Sequence, residues 1–357
     1  MTTVKSSAPP SSTPKVISTI ALNSPQHVAV NFRTNRVYLT LLNDSLAVIN
    51  GQTSTLIEDI SIENTPNYLV VNNRTNQIFT LNTATTSTPQ GFRGTVTAVD
   101  GHTNQVISSA TVGIDSSSIA INPVTNRVYV TNAESGTLTV ISGRTVSVLK
   151  TVSVGDTPFN AAVNSVTNRI YVSNFAAGTV TVIDGATNEV VSTIPVGTEP
   201  DSIAINTASN RIYVANTNSN SVSVISGKTN KVIKTIRVGT FPVDLKINSA
   251  TNRIYTANLN SDDVTVINGS NHMILATIQV GNQPSALGIN ARLNRIYTVN
   301  SSVNLKRGTV SVISGEGHKV IETLQVDAGP QDLCVNETTN HVYVTNNNSS
   351  TLSVIRG

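Results

Sequence analysis

Between Pro200 and Gly239 the chain reads PDSIAINTASNRIYVANTNSNSVSVISGKTNKVIKTIRVG, four short runs of alternating or continuous Val, Ile and Tyr, each closed by Asn, Ser, Gly or Thr. Runs of this length, rich in β-branched residues and bounded by turn formers, predict four antiparallel strands joined by tight turns. We label them A (Ser202 to Asn206), B (Arg211 to Ala215), C (Ser221 to Ile225) and D (Val232 to Val238). The pattern recurs. The Asn before strand B stands at Asn35, Asn76, Asn126, Asn168, Asn210, Asn252, Asn294 and Asn340, with a spacing of 42 repeated four times from Asn126 to Asn294. A fixed period of about 40–45 residues with four strands per unit is the signature of a β-propeller.

Strands A begin near His27, Tyr68, Ser118, Asn160, Ser202, Asp244, Ala286 and Asp332, so eight blades are expected. The run Val16 to Leu22 resembles a strand D with no A, B or C before it, and the last repeat stops after its strand C, Thr351 to Ile355. These defects are complementary: the N-terminal strand is expected to complete the last blade, closing the ring and removing its open edges. The expected fold is all-β, an eight-bladed propeller of four-stranded antiparallel blades. Residues 15–357 would form a single domain behind a flexible tail at 1–14, which is rich in Ser, Thr and Pro. Gly51, Gly101, Gly143, Gly185, Gly227, Gly269 and Gly315 fall between C and D, where Gly is expected to supply a positive φ. Thr-Asn pairs join A to B, and Asn tolerates the left-handed region. The A–B and C–D turns share one end of the ring, the bottom; D–A and B–C connections share the top.

The strand B motifs Tyr129-Val130-Thr131-Asn132, Tyr171-Val172-Ser173-Asn174, Tyr213-Val214-Ala215-Asn216 and Tyr343-Val344-Thr345-Asn346 resemble the YVTN β-propeller repeat of archaeal surface-layer proteins and many bacterial proteins. The resemblance covers nearly the whole chain. It implies the propeller fold and a range of roles, namely adhesion, scaffolding and ligand binding, with some relatives resembling enzymes. The enzyme-like relatives are poorly matched. Streptogramin-lyase propellers use paired histidines around a divalent metal, whereas His102, His272, His318 and His341 fall at bottom turns and leave His27 alone near the channel mouth. The chain has no Trp, unlike pyrroloquinoline quinone propellers, and no histidine pair to ligate a haem iron.

Charged residues make up 12% of the chain, well under the usual share of about 25%. A net charge of +3 is too small to imply nucleic acid or an anionic membrane as partner. No apolar run approaches the roughly 20 residues of a membrane span, and the N-terminus lacks a signal-peptide pattern. The expectation is a soluble cytoplasmic monomer, the alternative an exported domain whose signal has been removed. The single cysteine, Cys334, excludes an internal disulfide and is expected to be a packing residue. Arg36, Arg127, Arg169, Arg211, Arg253 and Arg295 recur just after the A–B turn, which points to a scaffold role tying adjacent blades.

The top mouth is expected to be lined by the two residues after each D–A turn: Gln26 and His27, Asn67 and Tyr68, Ser117 and Ser118, Phe159 and Asn160, Asp201 and Ser202, Val243 and Asp244, Ser285 and Ala286, Gln331 and Asp332. They differ from blade to blade while neighbouring positions repeat, as ligand-facing positions do. Asp201, Asp244 and Asp332 are candidates to hold a cation or polarise a substrate, although Asp and Ser also bond backbone amides at turns. Lys246 stands where other blades carry Ala29, Val70, Ala120, Ala162, Ala204, Gly288 and Cys334. Read functionally, it binds an anionic ligand or, with a lowered pKa, acts as base or nucleophile. Read structurally, it pairs with Asp244 or Asp201. Two long B–C loops, Thr83 to Gly94 and Ser301 to Gly308, bring Phe92, Arg93, Lys306 and Arg307 to the top, where they are expected to flank one sector of the rim.

Acids gather at the top and favour cationic partners over phosphates. Tyr68, Phe159 and Phe92 are the aromatic residues placed there, few for a lectin. No cofactor or metal site is identified. The expected function is a non-catalytic binding or scaffold module that takes a small molecule or a protein on its top face, with no nucleic acid and no membrane insertion. The alternative is a lyase or hydrolase centred on Lys246, Asp244, Asp201, His27 and Tyr68.

Overall fold

The computed structural model describes residues 13–83, 91–301 and 306–357. Most of the tail and the tips of both long loops therefore lie outside the described residues. In blade five the four apolar runs become strands A (Pro200–Asn206), B (Arg211–Asn216), C (Ser221–Ser226) and D (Lys231–Arg237), within two residues of expectation. Eight such four-stranded antiparallel sheets form the ring. Strands A of neighbouring blades touch one another around the central channel. Strands D are outermost, exposing side chains such as Leu56, Val106, Leu149 and Val191. No helix among the described residues is long and apolar enough to cross a membrane.

The core lies between blades. Strands B and C are buried on both faces, so they read as near-continuous apolar runs instead of strict alternations. Among the described residues the buried apolar side chains fall into eight clusters, each shared by two neighbouring blades. One joins Tyr171, Val180, Val182 and Ile194 of blade four to Ile203, Ile212, Val214 and Ile225 of blade five. The Tyr of each repeat motif is fully buried at such an interface, with Phe79 in its place in blade two. Full burial of one Val or Ile at such an interface contributes about 1.5–3 kcal/mol, and no single blade supplies both walls.

Two sets of asparagines lock this stack. At the bottom, the buried Asn ending each strand A donates to the turn Asn of the next blade: Asn31 to Asn76 at 2.6 Å, Asn72 to Asn126 at 2.7 Å, and Asn122, Asn164, Asn206, Asn248 and Asn290 to Asn168, Asn210, Asn252, Asn294 and Asn340 at 2.9–3.0 Å. Asn336 to Asn35 at 2.8 Å closes the circle. Within a blade, the final Asn of the strand B motif donates to two Ser, Thr or Asp oxygens of strand C, as Asn174 does to Thr179 and Thr181, both at 2.9 Å. Blade one departs from this second rule, with Leu41 buried at that place.

All eight turn asparagines have positive φ, between 49° and 57°. The C–D glycines do not have it, and the expectation is corrected: the left-handed residue of that turn is Ser54, Asn104, Val146, Asn188, Asn230, His272 or His318. The glycines are needed for close approach. Gly185 N–H bonds Asn168 O at 2.8 Å, and a Cβ on Gly185 would collide with the Asn168 side chain; the other six repeat this contact with their own turn Asn. Two of the recurrent arginines tie neighbouring blades. Arg36 donates to Gly101 O and Asn104 Oδ1 of blade two, and Arg127 to Gly185 O and Asn188 Oδ1 of blade four. Arg169 instead pairs with Asp184 of its own blade at 2.8 Å.

Ring closure is as expected. Lys15–Ala21 pairs antiparallel with Thr351–Arg356, from Lys15 opposite Arg356 to Ala21 opposite Thr351, completing blade eight as its strand D. Ile20 and Leu22 then pack with Leu41, Leu352 and Val354 across the junction of blades eight and one. Deleting residues 1–22 should therefore expose the edge of Thr351–Arg356, giving aggregation or a broadened, less cooperative melt, whereas deleting 1–12 should not. A product of the longer deletion that stays monodisperse on size exclusion and melts as sharply and as high as the full chain would contradict this closure.

Candidate functional site

Every strand A begins with a break in register, just after a Pro in seven blades, as between Pro242 and Asp244 or Pro158 and Asn160, and after Ser116 in blade three. Such a bulge re-aims side chains, and here it turns the following residues into the top of the channel. They line a cavity of about 340 Å³ in which His27, Tyr68, Phe159, Asp201, Asp244, Lys246 and Asp332 converge, with Ser117, Ser118, Asn160, Ser202, Val243, Ser285, Ala286 and Gln331 between them. Two expected members are absent. Gln26 Nε2 turns back to Ser24 O at 3.0 Å and Asn67 Nδ2 to Thr83 Oγ1 at 2.9 Å, so both amides serve the loops. Depressions of about 620 and 640 Å³ lie between blades away from the axis; the channel mouth is where the carboxyls, lysine and imidazole meet.

The acids have unequal surroundings. Asp244 Oδ1 accepts from Leu245 N–H at 2.8 Å, Ser202 Oγ at 3.2 Å and Lys246 Nζ at 3.1 Å, while Oδ2 accepts from Leu287 N–H of the next blade at 2.8 Å. Asp332 does the same work two junctions on, between blades eight and one, taking Leu333 N–H at 2.8 Å, Val28 N–H of blade one at 3.1 Å and His27 Nδ1 at 3.1 Å. Burial opposes the Asp332 charge, but the His27 pairing, the Val28 amide and Lys246 outweigh it and hold the carboxyl below the usual range. Asp201 has no such donors. Its carboxyl makes no hydrogen bond or ion pair among the described residues, and burial followed by repulsion from Asp244 raises its pKa to about 7.

Of the two partners the sequence offers, Lys246 takes Asp244. Its side chain extends into the channel and is 48% exposed. Burial between the channel walls works to lower its pKa, but Asp244 and then Asp332 outweigh that and the ammonium is held above its ordinary value. A deprotonated lysine base or nucleophile is therefore disfavoured. Tyr68 stacks on His27 with ring centroids 4.4 Å apart, and its hydroxyl is raised by burial first and then by the carboxylates of Asp201, Asp332 and Asp115. The Cys334 thiol is pushed well up by burial and by Asp332, and it packs against the blade one cluster. Among the described residues no group of three or more His, Cys, Asp or Glu is arranged to hold a metal ion.

The strand B motif, the eight four-stranded blades and the closing N-terminal strand are now joined by a direct match: residues 154–312 fit the family model described as a YNCE-like beta-propeller. That match spans under half of the chain; over its whole length the chain is an eight-bladed β-propeller. No curated protein matches it. Among solved structures this propeller is similar to the computationally designed Ika8 protein, with a TM-score of 0.73 and 14% identity over 94% of this chain and 96% of that one. At that identity the likeness concerns the fold alone.

The propeller does not bring the two loop bases to its mouth. Arg93 sits in strand C opposite Ile114 and lines an outer depression with Thr111 and Ser135. Phe92 is 53% exposed beside it. Arg307 reaches Gln325 on the outermost strand of its own blade at 3.3 Å, and Lys306 is exposed. None of the four lines the mouth cavity, and the expectation that the loops flank one sector of the rim falls on residues 84–90 and 302–305, outside the described residues. One aromatic contributor was missed: Phe175 meets Phe159 with centroids 5.5 Å apart. Its signal in the sequence was the position itself, just after the strand B Asn, which varies from blade to blade as the mouth positions do.

The bonding pattern separates the two partners of the Asp244–Lys246 pair. Lys246→Ala leaves Asp244 with its amide and hydroxyl donors, so thermal stability should change by less than about 1 kcal/mol. Asp244→Ala strands the Leu287 amide and loses the junction between blades six and seven, at a cost of about 1–3 kcal/mol. Melting curves check this; equal losses from both changes would mean the ion pair, not the amide bonding, holds the site.

Proposed function

We propose that this propeller is a non-catalytic binding module that holds a small polar molecule in its channel mouth. The observation that carries the reading is the commitment of the reactive groups: Lys246 stays protonated on Asp244, Asp244 and Asp332 are saturated by amides of adjacent blades, and Cys334 is an unionised packing thiol. What remains is a set of walls that differ from blade to blade around a cavity of about 340 Å³, a size suited to a small ligand. Lys246, the leading candidate for the base or nucleophile of a lyase or hydrolase, is held in its charged form, and the one uncommitted carboxyl, Asp201, is read here as a ligand-binding group.

Thermal denaturation against a panel of small polar molecules tests this. A subset should raise the melting temperature by several degrees at saturating concentration and be recovered unchanged after overnight incubation. Tyr68→Ala in the mouth should abolish the shift, and Leu149→Ser on the outer strand of blade three should not. Consumption of a stabilising compound, lost on Lys246→Ala, would overturn the non-catalytic reading in favour of an enzyme.

A further inference from the structure

The mouth holds three carboxyls, Asp201, Asp244 and Asp332, against one ammonium and one imidazole. Lys246 is on Asp244 and His27 is on Asp332, each at 3.1 Å. Asp201 is left over. It faces the cavity from strand A of blade five, with neither a cation nor a hydrogen-bond donor among the described residues, and the nearby Asp244 charge makes its ionisation harder. Aromatic surface lies within the same cavity. Tyr68 presents its ring there, feels Asp201 more strongly than any other charge, and is braced by His27. Phe159, on the blade next to Asp201, adds a second ring braced by Phe175. An unpaired carboxyl facing π surfaces in a partly desolvated pocket attracts positive charge twice, by Coulomb attraction and by the cation–π interaction.

We propose that the channel mouth takes a compact organic monocation, an ammonium or quaternary nitrogen on a small apolar body, with the nitrogen on the Asp201 carboxylate and the body against the Tyr68 and Phe159 rings. This rests on the binding reading above and supplies its ligand class. Divalent metal ions fit less well, since their carboxylate ligands would have to come from Asp244 and Asp332, whose oxygens are already occupied by inter-blade amides. Anions fit less well again, because the one lysine is paired and three acids face the same space. The cation must compete with a proton for Asp201, so affinity should rise as pH rises through about 7 and fall below it. Asp244, Lys246, Asp332, His27 and Tyr68 are the titratable groups facing that carboxyl. An Asp201 variant is the control that assigns the pH dependence to that carboxyl.

Choline and its neutral isostere 3,3-dimethylbutan-1-ol, titrated calorimetrically into the full chain at pH 6 and pH 8, provide the test. Choline should bind, at least tenfold more tightly than the alcohol at pH 8, with weaker affinity at pH 6. Asp201→Asn removes no hydrogen bond and should fold; it should cut choline affinity at least tenfold and flatten the pH dependence. Tyr68→Leu should weaken choline with the pH dependence retained. Equal binding of choline and the alcohol, or full choline affinity in Asp201→Asn, would overturn the cation inference while leaving a binding propeller. Failure of both probes and of every compound in the thermal panel to stabilise the protein would overturn the binding reading itself.

Discussion

At each junction between blades, a buried Asn amide at the end of strand A reaches the side-chain oxygen of the next blade's turn Asn. Its own carbonyl oxygen meanwhile caps amides of the turn it begins, as Asn164 does for Val166 and Thr167. One such bond contributes only about 1 kcal/mol net, yet leaving its buried partners unmade costs more than that. Because the bond repeats without a gap around the ring, each blade has one allowed place relative to the next. The eight apolar interfaces, the width of the channel and the juxtaposition of residues from different blades at the mouth all follow from that placement.

The repeat explains what was legible in the sequence. Scaffold residues recur because each solves the same contact eight times, so the turn Asn, the C–D Gly and the buried Tyr announced blades, strands and ring closure directly. The reason for one of them was misread: Gly185 and its equivalents are small so that the A–B turn can sit against them, while the strained backbone falls three residues later, at residues such as Asn188. Periodicity places a residue but does not tell which of two constraints it answers.

The mouth was legible by position and not by state. Variation after the D–A Pro located nearly the whole lining, but the ionic character of each acid depends on donors from other blades that spacing cannot reveal. Asp244 and Asp332, at one register position, receive amides from the following blade; Asp201, a single residue earlier in its repeat, receives none. Lys246 likewise stood out by position against Ala204 or Gly288, but its choice of Asp244 over Asp201 as partner depends on the channel geometry.

What distinguishes this propeller's mouth is therefore one carboxyl without a counter-charge, held in place by a ring whose other acids are satisfied. Carbon-13 NMR of the aspartate side-chain carboxyls, followed across pH 3 to 9 with Asp201→Asn to assign the resonance, measures that state directly. Asp201 should titrate with a midpoint of about 7, and Asp332 below the usual carboxylate range. A midpoint for Asp201 near the ordinary value of about 4 would mean that it already has a partner or free access to water, and would contradict the claim that the mouth is one cation short.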